Sequence, residues 1–392
     1  MTPPDPFQPF WAATRADTGP LDAGPPRRVV AEDGTPAWLF TTFEDVRAIL
    51  SDSRLSADPA LPGYPCGPGH RGASTSGSLI RLDGPCHRKA RGRLAGEFSL
   101  TRIAEQEHRI VAVADLCVDA LLASGKGADF CELVGKPAAA GVAAQMLGIP
   151  QEHRARFAED IRHLHDPAFP AEYRPQAEAL LVAQLAELFS DRRSRPTDDL
   201  IGRLASLART REEARQLVLD VRLILAASVQ TVSSMISLTA LSMMRCDRAG
   251  RESLRDPVRL AALVEESLRY WSVVQTGPRR VATDRVTVGG VTLQAADGVI
   301  VSLPAANRDR AAFVRDRETM DLEAAVPGYR HLAFGFGPHQ CLGQNLARAV
   351  LRDVLTTVFA RIPGLRPVDD WRSLRFAADA VIYGVDRLPV TW

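Results

Sequence analysis

Residues 334 to 343 read Phe334-Gly335-Phe336-Gly337-Pro338-His339-Gln340-Cys341-Leu342-Gly343. Three glycines surround one cysteine, and a helix is expected to follow over roughly 344–360. Glycine permits tight backbone conformations and close approach to a flat ligand. Free N–H groups at a helix N-terminus stabilise a thiolate and lower its pKa, and such a thiolate suits a soft metal ion. His339 and Arg348 place donor groups close by. The other cysteines (Cys66, Cys86, Cys117, Cys131 and Cys246) are scattered singly. No C-x-x-C occurs, so neither a zinc ribbon nor a redox pair is expected. These thiols read as free, small buried hydrophobes in a reducing compartment.

The surrounding chain bounds the class. It has 392 residues, 46% hydrophobic and 24% charged, as soluble globular proteins do. Glycine and proline together make about 14%, near the background of about 12%, which excludes collagen-like and disordered chains. The 48 basic residues against 47 acidic ones leave a net charge of +1, without the excess that nucleic-acid binding favours. All but Lys89, Lys126 and Lys136 of those basic residues are arginines. No apolar run approaches the roughly 18 residues of a membrane span. The start, Met1-Thr2-Pro3-Pro4-Asp5-Pro6, has neither a basic nor an apolar export region, so a cytoplasmic protein is expected. Length alone admits two or three domains. Without a clear linker or internal repeat, one domain over 1–392 is expected, with residues 1–30 as an N-terminal extension.

Periodicity points to a mainly α protein with a minor β portion. A short strand is expected at 37–42 and a helix at 44–50, with Val46, Ile49 and Leu50 on one face. Residues 58–78 form a Gly/Pro/Ser-rich loop, expected to be flexible and functional at that length. Helices are expected at 86–95, 101–124, 138–147, 151–163, 174–192, 212–245 and 257–271. The 212–245 stretch is apolar nearly all round near its middle and reads as a buried central helix. Residues 279–303 alternate around Gly289-Gly290, the pattern of short strands with a hairpin turn. Short strands close the chain.

The cysteine segment resembles the ligand loop of the cytochrome P-450 family, F-x-x-G-x-[H/R]-x-C-x-G, matched by Phe334, Gly337, His339, Cys341 and Gly343. Glu266-Ser267-Leu268-Arg269 resembles the family's E-x-x-R, whose two charges share a helix face at i, i+3. Asp83-Gly84-Pro85-Cys86-His87-Arg88-Lys89-Ala90-Arg91 resembles its D-x-x-x-H-x-x-x-R. Arg280-Val281-Ala282-Thr283, Asn307-Arg308-Asp309 and Leu147-Gly148-Ile149-Pro150 are similar to further landmarks. The resemblance runs from about residue 37 to the end and implies the triangular, α-rich fold of the bacterial soluble members, with small β-sheets.

It also implies roles. Cys341 would ligate the iron of haem b. His87, Arg91, Arg280 and His339 would bind the propionates, and Phe334, Gly335 and Gly343 would shape the loop beneath the ring. Glu266 and Arg269 would be structural. Their usual third partner, an Arg, falls at Thr319, with Arg315 or Arg317 as substitutes. Electrons would come from a separate ferredoxin-type partner and its reductase, steered by Arg348, Arg352 and Arg91–Arg93 on the proximal face. A monomer acting on a small-molecule or peptide-like substrate is implied, with no nucleic acid and no membrane.

The central helix departs from its relatives. Ala226 and Ala227 keep the small residues that leave room above the iron, but Val229 stands where an acid is usual and Gln230 where an alcohol is usual. Valine carries no proton, and glutamine has no useful pKa. The leading expectation is a haem-thiolate oxidoreductase in secondary metabolism, working by oxidative coupling or hydroxylation of an amphipathic aromatic or peptide-like compound. The substrate or ordered water would deliver protons. Ordinary hydroxylation through Thr231 or Ser228 is the alternative. Peroxide-driven or non-oxidative haem chemistry, or haem binding without turnover, are the others. The 60–80 loop would roof the pocket, with Ala226, Ala227, Val229 and Gln230 on the distal side. Val273, Val274 and Gln275 would enter it, and Val381 and Ile382 would close the far side. His163-Leu164-His165 reads as helix surface. No H-E-x-x-H, Walker loop or G-x-S-x-G occurs.

Overall fold

Helices make up most of the chain, and short strands gather into three small sheets. The computed structural model describes residues 23–67, 78–165, 170–246, 248–275, 277–313, 320, 331–377 and 380–392. Its elements are, in order, β1 (Arg27–Val30), β2 (Pro36–Phe40), α1 (Phe43–Ser51), β3 (Leu55–Ser56), α2 (Gly84–Ala95), α3 (Leu100–Ala104) and α4 (Glu107–Ser124). There follow α5 (Lys136–Leu147), α6 (Gln151–His165), α7 (Arg174–Ser194), α8 (Leu200–Leu207), α9 (Arg211–Arg245), α10 (Arg248–Ser253) and α11 (Pro257–Trp271). The last are β4 (Arg279–Ala282), β5 (Val286–Val288), β6 (Val291–Leu293), β7 (Gly298–Val301), α12 (Leu303–Ala306), α13 (Gln344–Arg361), β8 (Arg366–Pro367) and β9 (Val390–Thr391).

These elements match the mainly α reading, with corrections. Residues 27–30, assigned above to an extension, form β1 and pair with β2. The helix expected at 101–124 is two, α3 and α4, parted at Glu105 and Gln106. Neither proline nor glycine marks that break, so periodicity reads straight through it. Cys131–Gly135 forms a π-helical turn leading into α5. The main sheet runs β1-β2-β7-β4-β3, with β2 and β7 parallel and the other neighbours antiparallel. The Gly289-Gly290 turn joins the β5–β6 hairpin as expected.

Helix α9 organises the interior. Thr210 caps it through the Glu213 N–H, and the Glu213 carboxylate accepts from the Thr210 N–H in return. Its C-terminal half joins α4, α5, α11 and α13 in one apolar cluster, and its N-terminal half joins α2 and α6–α8 in a second. An 18-residue window of α9 has a mean hydropathy of 1.6, enough to cross a membrane, contrary to the sequence reading. Its apolar character follows from its place in the core: 44% of that window is buried inside the fold.

Two adjacent glutamates on α11 hold the segment that leads to Cys341. Glu266 and Arg269 are 1% and 2% exposed and pair in a fork, at 2.7 Å and 2.6 Å. The remaining arm of Arg269 donates to the Asn307 carbonyl at 2.8 Å, and the Asn307 side chain accepts from the Leu332 N–H at 2.6 Å. Leu332 in turn accepts from Gly335 N–H, and Phe334 accepts from Cys341 N–H, both at 2.8 Å. Arg315, Arg317 and Thr319 lie outside the described residues. Glu265 takes the other side. It receives Arg348 at 2.6 Å and 2.9 Å and faces His331 at 3.1 Å. Burial pushes the Glu265 carboxyl up, but its bonds to His331 and Arg348 outweigh that and hold it at about 2.

Two outcomes follow. Replacing Arg269 by Ala strands a buried carboxylate and is expected to cost about 3–5 kcal/mol in urea unfolding, with Arg269→Lys recovering only part because an ammonium cannot form the fork. Because Glu265 lies below its ordinary value of 4.5, its stabilisation is complete above that pH and fades as the pH falls towards 2. Arg348→Gln should therefore lower stability by of order 2 kcal/mol at pH 7, and the gap to the parent should close across that acid range in stepped-pH denaturation.

Candidate active site

Cys341 lies between the 3₁₀ turn Gly337–His339 and the start of α13. Gly337 has φ +70°, and an added Cβ there would lie 2.5 Å from the Leu50 carbonyl, so the loop sits hard against the end of α1. Gly335 has φ +69°, and a Cβ there would meet nothing within 4 Å. The loop is therefore braced at Gly337 and open at Gly335. Phe334 is pinned beneath the Arg348 guanidinium, 4.6 Å from its ring centre.

Cys341 is exposed on one side while protein surrounds it on the others. Burial pushes its thiol above the ordinary value, against the Gly343 N–H and the charges of Arg91 and Arg348. The sequence reading expected a lowered pKa; the lowering groups are present, but desolvation outweighs them. Cys117 and Cys131 are buried thiols pushed by desolvation to about 11 and about 12. Cys86, expected to be buried, is exposed on α2. Among the described residues no three metal-ligating side chains cluster.

Four cationic candidates from distant segments converge here. His87 on α2 stacks on His339 with ring centres 4.1 Å apart. Burial, then the charges of His339 and Arg91, push His87 down to about 4. Arg91, one turn further along α2, acts on both His87 and Cys341. Arg280 on β4 and His339 line the same cavity of about 310 Å³, with Gly335 and Phe336 beside them. Arg280 donates to the Arg279 carbonyl at 2.7 Å and has no carboxylate partner among the described residues. His339 faces Asp83 at 3.4 Å, and Asp83 also accepts from Ser56 Oγ at 2.5 Å and Ala57 N–H at 3.0 Å. A reachable soft donor, an open backbone face and unpaired guanidiniums fit an iron-bearing ring with two carboxylates.

On α9, Ala227 is the one exposed residue between 221 and 244, so it marks the open face of an otherwise enclosed helix. Ala226, Gln230 and Thr231 are half-buried around it. Thr231 Oγ1 donates to the Ala227 carbonyl at 2.8 Å, and Ser228 Oγ donates to Leu225 O at 3.2 Å. Val229 is half-buried as they are, with part of its side chain against the second core cluster. Gln275 is corrected: it is 4% exposed, its amide donating to Ser272 O at 3.1 Å. Val273 is core, Val274 bridges to Ile382, and Val381 lines the cavity. Of the 58–78 loop, residues 68–77 lie outside the described residues, while Pro59, Tyr64 and Cys66 reach the cavity wall. The side chains of His163 and His165 lie outside the description as well.

Sequence reasoning missed Tyr64, Arg81 and Phe336 on that wall, and Asp220, a buried carboxyl on α9 pushed by burial to about 6. Tyr64, Arg81 and Asp220 stand in no motif, and Phe336 fills an unspecified position of the cysteine loop. The cations assigned above to partner steering are largely engaged: Arg348 with Glu265, Arg352 with Glu107 and Asp353, and Arg93 with Glu213 at 3.6 Å.

Known proteins resemble this chain in sequence and in fold. A family model described as cytochrome P450 matches residues 258–362. The 20-oxo-5-O-mycaminosyltylactone 23-monooxygenase of Streptomyces fradiae is 38% identical, covering 99% of this chain and 90% of that one. The crystal structure of cytochrome P450 MoxA from Nonomuraea recticatena is 35% identical and superposes with a TM-score of 0.86, covering 94% and 92%. The putative thioether synthase SgvP, involved in tailoring griseoviridin, is 29% identical with a TM-score of 0.85, covering 94% and 93%. Likeness in sequence over almost the whole length, joined to a thiol loop tied to a buried Glu–Arg pair, means that the chain belongs to the cytochrome P450 family of monooxygenases.

Proposed function

We propose that the chain hydroxylates an amphipathic natural product, with Cys341 as the iron ligand of haem b. The carrying observation is the Cys341 residue, exposed on one side of a loop otherwise enclosed by protein, with the Arg91 and Glu265-bound Arg348 guanidiniums acting on it. In this reading Arg91, Arg280 and His339 hold the propionates by charge-assisted hydrogen bonds, and neutral His87 adds a ring N–H. Phe334, Gly335 and Gly343 shape the loop beneath the ring. When bound, haem supplies dioxygen activation, and thiolate donation favours O–O cleavage.

The chain's own part is to position, to exclude water and to move protons. Ala226 and Ala227 leave space where a larger side chain would fill it. Thr231 stands one turn beyond Ala227 on the same face and would release its hydroxyl from the Ala227 carbonyl to hold and pass a proton. Gln230 orients by its amide, and Val229 contributes packing. Hydroxylation agrees with what the Streptomyces relative's name says of that enzyme. A second reading, oxidative coupling with protons supplied by the substrate, is favoured by the engagement of the Thr231 hydrogen with its own helix and by the likeness to a putative thioether synthase.

Reducing equivalents would come from a separate ferredoxin-type protein and its reductase. Arg88 and Lys89, exposed on α2, offer it cations. The reading takes residues 1–392 as one domain, monomeric and cytoplasmic.

Cys341→Ala is expected to abolish the thiolate-type absorbance shift of the reduced protein with carbon monoxide, and a surviving shift would overturn the assignment. Thr231→Val should lower product formation by about a hundredfold and raise futile consumption of reductant. Unchanged turnover would pass proton delivery to the substrate. Mass spectrometry separates the chemistries: hydroxylation adds one oxygen atom, and coupling removes two hydrogens.

A further inference from the structure

Arg81, Arg279, Arg280 and His339 line the cavity beside the cysteine loop. Arg279 is neutralised by Glu32 at 2.8 Å and donates to Cys66 O at 2.8 Å. His339 faces Asp83. Among the described residues, neither Arg81 nor Arg280 on the cavity wall, nor Arg91 on α2, pairs with a carboxylate. The reading above gives the two haem propionates Arg91, Arg280 and His339, and Arg81 has no part in it.

That cation is set up to bind something. Arg81 is half-buried and follows Ile80 in the 3₁₀ turn Leu79–Arg81. It donates through Nη1 to the Tyr64 hydroxyl, and its guanidinium lies 5.7 Å from the Tyr64 ring centre. Tyr64 is 6% exposed, so the phenol is a fixed post rather than a mobile neighbour. A phenol steadies a guanidinium without cancelling its charge. In the sequence, residues 65–80 contain neither Asp nor Glu. Two large apolar side chains, Ile80 and Val381, stand 51% and 50% exposed on the same cavity wall. A lone cation beside uncovered aliphatic surface matches a ligand with an anionic head and an apolar body.

We propose that Arg81, steadied by Tyr64, anchors a carboxylate of the substrate, so that the enzyme selects amphipathic acids over their neutral counterparts. This rests on the haem-thiolate reading of the site and names the substrate class for it. Arg81 is a specificity-determining residue here, and the step is recognition, with no bond made or broken.

The test uses the full chain loaded with haem and two probes sharing one apolar body, naphthylacetate and naphthylacetamide. Equilibrium dialysis and the haem spin-state shift give the dissociation constants. The parent should bind the acid at least about tenfold more tightly than the amide. Arg81→Gln should erase that preference while keeping haem content and amide affinity, and Arg81→Lys should keep part of it. A parent that does not favour the acid overturns the proposal. So does an Arg81→Gln variant that keeps the preference, or one that sheds haem, which would assign Arg81 to a propionate. Failure of the underlying reading looks different: the parent itself would lack the thiolate-type carbon monoxide band, whatever the dialysis gave.

Discussion

A guanidinium–carboxylate fork sealed from water, Arg269 on Glu266, is the fixed point from which the reactive loop is hung. Removing two such charges from water is costly, and only full hydrogen bonding of both makes the arrangement tolerable. Arg269 meets that condition by reaching past its own helix to the Asn307 carbonyl. Asn307 then carries the order onward, since its side chain holds Leu332 and also donates to Ser272 Oγ at 2.7 Å. Its neighbours act in the same sense: Arg308 donates to the Tyr270 carbonyl, and Asp309 accepts from the Phe43 N–H. The run Asn307-Arg308-Asp309 thus cross-links the end of α11, the start of α1 and the segment before the cysteine.

Much of this was legible in the sequence because it is local. The loop around Cys341, the Glu266–Arg269 spacing and the His87–Arg91 spacing are each written within ten residues, and periodicity placed α9 and α11 to within a residue or two. What was not legible depends on distant partners. Glu265 looks like any surface acid until folding brings Arg348 and His331 to it. Asp83 reads as a motif residue, yet it joins Ser56 to His339. Tyr64 and Arg81 sit in a tract whose composition says only loop. The exposure of Ala227 on α9 was not legible, because a helix apolar nearly all round gives no sign of which stripe is left open.

Burial sets the electrostatics of the cations around this loop. Arg91 and Arg280 are both pushed below the ordinary guanidinium value by burial, and His87 is held neutral by the same cause. Cation upon cation in a poorly hydrated place disfavours the charged forms. A ligand bearing carboxylates relieves all of these at once, so stability and cofactor retention are coupled in this region.

The contact between Gly337 and the Leu50 carbonyl joins the first helix to the cysteine loop near the other end of the chain. Contacts of such sequence separation repay their loop entropy late in folding. Until that contact forms, the Cys341 thiol is no better sheltered than the surface thiol of Cys86, and a thiol so placed is open to oxidation and mispairing.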